Sequence, residues 1–150
     1  QAYLTAKFGH AASAVYGRIA MAGLDAGIEF QFSKIKRTPD TRPIHHLVLA
    51  AGDKSEILAD RFYKAYFLDG QDISEVGIQD EILEACELDR QTLSSELTAA
   101  ANQLETDLHD CNTLAIEGVP MIIFNSSLSL AGAYPPDILL NVIDSAARPA

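Results

Sequence analysis

The stretch that decides the fold is Gly118-Val119-Pro120-Met121-Ile122-Ile123-Phe124, with its continuation through Asn125-Ser126-Ser127 to Leu128-Ser129-Leu130-Ala131. Met121 to Phe124 is short, apolar and partly β-branched, which reads as a buried strand. Asn125-Ser126-Ser127 is turn chemistry, so Leu128 to Ala131 is predicted to pair back as a hairpin. Pro120 stands at the start of the strand, where its missing N–H costs no ladder hydrogen bond. Gly132-Ala133-Tyr134-Pro135-Pro136 then introduces a final helix from Asp137 to about Ala147.

Between Thr41 and Glu117 the sequence reads almost entirely as helix. Thr41 is predicted to cap a segment with Pro43 in its first turn and Leu47, Val48, Ala50 and Ala51 inside. Gly52-Asp53 breaks it. Ser55 to Leu68 is amphipathic, with Ile57, Leu58, Phe62, Ala65 and Tyr66 on one side, and it ends at Asp69-Gly70. Asp72 or Ser74 is expected to cap the next helix, whose apolar face is Ile78, Ile82, Ala85 and Cys86. Leu88 packs ahead of Asp89, a further predicted N-cap, and helix continues through Leu93 and Leu97. A last helix carries Leu104, Leu108, Cys111 and Ala115 at helical spacing.

The opening third reads as helix, then extended chain. Ala11, Ala12, Ala14, Val15, Ile19, Ala20, Met21 and Leu24 recur at helical spacing, and Gly27 is placed to stop the helix in a left-handed turn. Ile28-Glu29-Phe30-Gln31-Phe32 alternates apolar and polar, which suggests a short half-buried strand or extended segment. Lys34, Lys36, Arg37 and Arg42 follow, with turn chemistry at Thr38-Pro39-Asp40-Thr41. This cluster reads first as a solvated loop balancing nearby acids. An anion contact, such as a glutathione carboxylate or an acidic partner, is the alternative.

The chain has 150 residues, is 48% hydrophobic, and sets 11 Lys and Arg against 21 Asp and Glu for a formal net charge of -10. The length suits one domain with a real core. The negative field argues against nucleic-acid and membrane-surface partners. No apolar run approaches the roughly 20 residues that a bilayer requires. Gln1 is followed by no basic and apolar leader pattern, so the expected compartment is cytoplasmic. A chain opening on Gln is expected to be processed or partial.

Two cysteines, Cys86 and Cys111, are too few for a zinc ribbon or a disulfide framework. Each lies on an apolar helical stripe and is expected to be buried and inert. His45 and His46 are adjacent, hence about 100° apart on a helix and unable to share one metal. His10 and His109 are isolated, and Asp69-Gly70-Gln71-Asp72 lacks the ligand spacing of a calcium loop. No metal site and no cofactor are expected.

The C-terminal stretch, from Gly118-Val119-Pro120-Met121-Ile122-Ile123-Phe124 through the hairpin to Leu130-Ala131-Gly132-Ala133-Tyr134-Pro135-Pro136-Asp137-Ile138-Leu139-Leu140, resembles the end of DsbA-family thioredoxin-like oxidoreductases, with the FrnE-like branch the best fit. Phe62-Tyr63-Lys64-Ala65-Tyr66-Phe67-Leu68-Asp69-Gly70-Gln71-Asp72-Ile73 is similar to the helical-insert signature of that branch. Asp40-Thr41 followed by His45 is similar to the family's Asn-Thr and Ala-His. Hydroxychromene-carboxylate isomerases and kappa-class glutathione transferases share much of the insert.

The resemblance implies an α/β, thioredoxin-like fold of DsbA type in one domain over 1–150. Its large all-helical insertion would span about 41–117, and its hairpin and helix about 118–147. It implies that Pro120 takes the cis bond and that Val119 and Pro120 contact an extended thiol- or disulfide-bearing protein or glutathione. The family's opening βαβ unit, with its C-x-x-C, matches nothing after Gln1, so its catalytic cysteines map onto no residue of this sequence. The implied activity is thiol–disulfide exchange, with cysteines supplied from outside. A redox-inactive binding or scaffolding member, or a glutathione-dependent isomerase or transferase, is the alternative. A two-stranded hairpin with an open edge and an uncovered helical face is expected to form a homodimer or element-swapped assembly, or to be poorly stable.

Overall fold

The computed structural model describes residues 12–147, so His10 and Ala11 lie outside the described residues. The chain divides into two compact units between Leu104 and Glu105. The first contains α1 (Ala12–Asp25), α2 (Arg42–Ala50), α3 (Ser55–Phe67), α4 (Val76–Glu84) and the opening of α5 (Ser94–Thr113). The second contains the end of α5, strands β1 (Met121–Phe124) and β2 (Leu128–Ala131), and α6 (Pro136–Ala146).

The core of the first unit is built by α2, α3 and α4. Leu47, Leu58 and Leu83, one from each helix, are its largest fully buried side chains. On α3 the buried stripe is Leu58, Phe62 and Ala65, an i, i+4, i+7 pattern. Ile57, expected on that face, is instead 49% exposed. It lies about 100° round the helix from Leu58, and this stripe is too narrow to include it. Ile73 and Leu93 fill the cluster from the connecting segments.

The helix ends explain where the chain turns. Asp40, rather than the expected Thr41, supplies the oxygen at the start of α2, accepting the Arg42 backbone N–H at 3.0 Å, and Thr41 makes no side-chain cap bond. Asp72 accepts both the Ser74 backbone N–H (3.0 Å) and its hydroxyl (2.5 Å), closing a turn ahead of α4 rather than capping the helix itself. Asp89 accepts the Thr92 N–H at 2.8 Å, as a capping residue does. Two helices were expected after it, but the single α5 forms, because no Gly or Pro interrupts Ser94 to Thr113.

At the end of α4, the Leu88 N–H reaches the Leu83 carbonyl and the Glu87 N–H the Glu84 carbonyl, with Glu87 at φ 55°. This is the Schellman closure, here without glycine. The Lys54 ammonium then donates to the Cys86 carbonyl at 2.9 Å and pairs with the Glu87 carboxylate at 3.2 Å. A cation on the last carbonyls of a helix is well placed for the macrodipole.

Gly27 ends the α1 segment at φ 77°, as expected. The following segment forms no strand. The Ile28 N–H bonds the Gly23 carbonyl at 2.7 Å, the Gln31 N–H bonds the Phe67 carbonyl at 2.8 Å, and a 3-10 turn follows at Phe32–Lys34. The alternation of this segment instead sets Phe30 and Phe32 together, their rings stacked at 5.1 Å. Gly23 is required beneath them, since a Cβ there would sit 2.6 Å from the Phe30 ring.

Leu58→Ala is expected to lower the unfolding free energy by about 2–5 kcal/mol, the range for a fully buried leucine, as measured by urea denaturation. A loss below about 1 kcal/mol would show that α3 is not central to the core.

Candidate functional site

The candidate site is the approach to β1 in the second unit. α5 ends in another Schellman closure: the Ile116 N–H bonds the Cys111 carbonyl at 2.9 Å and the Ala115 N–H the Asn112 carbonyl at 3.1 Å. Ala115 occupies the left-handed position at φ 53°. Nothing in the sequence marks this residue, because alanine has no preference for that conformation.

The chain then passes Gly118 and Val119 into the strand, and the Val119-Pro120 peptide bond is cis. β1 pairs antiparallel with β2, from Met121 opposite Ala131 to Phe124 opposite Leu128. The Gly132 N–H extends the ladder outward to the Pro120 carbonyl at 2.8 Å. Asn125 and Ser126, at φ 50° and 56°, make the turn, and the Ser127 N–H closes it onto the Phe124 carbonyl. Positive φ at both central residues matches the twist of paired strands, and Asn accepts it readily. The Asn125 side chain also donates to the Ala146 carbonyl at 2.7 Å, tying the turn to the end of α6.

Val119 and Pro120 are therefore adjacent to the strand, as the sequence implied, and they border a cavity of about 420 Å³ shared with Ala115, Met121 and Gly132. Val119 is 91% exposed, and its main chain makes no hydrogen bond among the described residues. The lining offers main-chain groups, small side chains and the Glu117 carboxylate, but no thiol.

The cysteines divide. Cys86 is buried in the helical core, as expected, whereas Cys111 is exposed; both are free. Periodicity identified the apolar stripe of α5 but not whether anything covers it, and Leu108 on the same stripe is also exposed. No group of His, Cys, Asp or Glu able to hold a metal occurs among the described residues. His45 is exposed and His46 half-buried on α2.

Within the basic cluster, Arg37 meets one of the protein's own acids. The Arg37 guanidinium pairs with Asp72 at 3.2 Å, and Lys36 borders the same cavity as Asp72 and Glu75. The Asp72 carboxyl is held below the usual range chiefly by the Ser74 hydroxyl. The Ser74 N–H and Arg37 reinforce this against an opposing push from burial.

A model of the DSBA-like thioredoxin domain matches residues 9–144. The chain belongs to that family. The fold agrees. A probable DsbA oxidoreductase from Streptomyces coelicolor, known from its crystal structure, matches with a TM-score of 0.79 and 22% identity, over 98% of this chain and 67% of that one. A search of curated proteins finds no match. For this DSBA-like domain, a mostly helical chain with a small two-stranded sheet is consistent with the thioredoxin-like fold of DsbA type that the sequence implied.

Two outcomes test this geometry. Ala115→Gly is expected to stabilise the DSBA-like domain by about 0.5 kcal/mol, as relief of a left-handed alanine outweighs the added freedom of the unfolded chain. A lowered thermal midpoint would refute the closure at Ala115. A carboxyl with a depressed folded pKa adds stability above its unfolded value and loses it as pH falls through the folded value. Stability is therefore expected to fall as pH drops below the ordinary 3.8 of Asp72. Asp72→Asn should make that acid limb shallower in pH-dependent urea unfolding, and an unchanged limb would count against the Ser74 contact.

Proposed function

We propose that Gly118-Val119-Pro120 is the substrate-contacting edge of a thiol–disulfide oxidoreductase of the FrnE-like branch, one that takes an extended thiol- or disulfide-bearing polypeptide by its main chain. The observation that carries this reading is Val119, exposed and with its main chain unengaged immediately before the strand. A peptide laid along it gains main-chain hydrogen bonds whatever its side chains, which is the logic of strand addition.

Such bonds contribute only about 1 kcal/mol each, so the groove orients the substrate and a covalent bond must hold it. In the exchange, a thiolate of a cysteine supplied from outside this sequence attacks one sulfur of the substrate disulfide, a mixed disulfide forms, and the other sulfur leaves as thiolate. The family's cysteines match no position of this sequence, and Cys86, buried at the end of α4, is unsuited to the attack.

The test is insulin reduction and peptide oxidation by the full-length protein. Val119→Pro removes the N–H offered to the peptide and is expected to lower kcat/KM about fivefold, the equivalent of one lost hydrogen bond of about 1 kcal/mol. Val119→Thr, which keeps the main chain, should stay within about twofold. Full activity in Val119→Pro would sink the reading of the edge. Peptide binding without any turnover would instead identify a redox-inactive binding member of the family.

A further inference from the structure

The first unit contains a second cavity, unrelated to the hairpin. It measures about 400 Å³ and opens between α2, α3 and the loop before α2. Its inner surface is apolar, formed by the buried Ile44, Phe62 and Ile73. Tyr66 and Phe67 wall it, their rings meeting edge-on at 4.8 Å. Thr38 and His45, both exposed, bring hydrogen-bonding groups to its mouth.

None of its lining residues is Lys, Arg, Asp or Glu, although the chain carries a net charge of -10. The Tyr66 hydroxyl, ordinarily at 10.0 and pushed further up by burial and Tyr16, is uncharged at neutral pH with or without that push. A charged guest would leave its solvation without a counter-charge, which is costly in an apolar pocket. A flat ring can lie against the aromatic wall of Tyr66 and Phe67, and one polar oxygen at the mouth can meet the His45 imidazole, the Thr38 side chain being already hydrogen-bonded to Tyr66.

We propose that this cavity is a binding site for a small, neutral, flat aromatic molecule carrying a hydroxyl or carbonyl oxygen. The site lies wholly within the helical unit, and its occupancy is independent of the proposed exchange activity.

Titration calorimetry of the full chain with naphthol and with naphthoate tests it. Naphthol is expected to bind at one equivalent, and naphthoate, the same ring with a charge, at least about tenfold more weakly. Ala59→Phe, which fills the cavity from α3, should abolish naphthol binding. Should circular dichroism show that this variant is unfolded, Val48→Phe fills the cavity from α2 with the same expected loss. Absence of naphthol binding, equal or tighter binding of naphthoate, heat that does not saturate at one equivalent, or unchanged binding in a folded cavity-filled variant would each overturn the proposal.

Discussion

The burial of Leu58 in one cluster with Leu47 and Leu83 is the constraint on which the helical unit depends. α3 lies between α2 and α4 in sequence, and its stripe of Leu58, Phe62 and Ala65 is buried in the same cluster as theirs. Complete burial of such a side chain contributes about 1.5–3 kcal/mol, comparable to a sizeable share of a domain's net stability. Other features of the unit follow from fixing α3. Its C-terminal carbonyl at Phe67 receives Gln31, its Tyr66 hydroxyl reaches the Arg37 carbonyl, and its aromatic rings wall the second cavity.

Polar chemistry then locks the connections. Gln79 is the buried polar residue of the core. Its amide nitrogen donates to the Ile73 carbonyl at 3.0 Å, and its oxygen accepts from Arg90 at 2.9 Å. A buried amide left half satisfied would cost stability, whereas here both ends are engaged across two loops. Arg90 also bonds Asp80, and Lys54 closes the far end of α4. Among the described residues no buried side-chain nitrogen or oxygen lacks a partner.

How legible this was depended on whether the signal was local. The hairpin at Met121–Ala131 and the stop at Gly27 could be read because short β-branched runs, turn residues and glycine act over a few positions. Thr41 and Asp72 were the right kind of capping residue near the right boundary, yet Asp40 starts α2 and Asp72 closes a turn instead. Competing oxygens one or two residues apart look alike in sequence. Ala115 and Glu87 adopt left-handed conformations that nothing in their chemistry favours, because the surrounding helix closures impose them. Cys111 was misjudged for another reason: spacing defines a face, but only tertiary packing decides whether it is covered.

The division of the two cysteines makes the molecule its own folding reporter. Cys111 is open to a thiol reagent in the native state, while Cys86 becomes reachable only when the helical core opens. Under native conditions the first thiol should react rapidly. The slow modification of the second then measures the free energy of opening around α4, without any denaturant. With no tryptophan in the sequence to serve as an optical probe, that chemical clock offers a direct view of how tightly the helical unit holds itself closed.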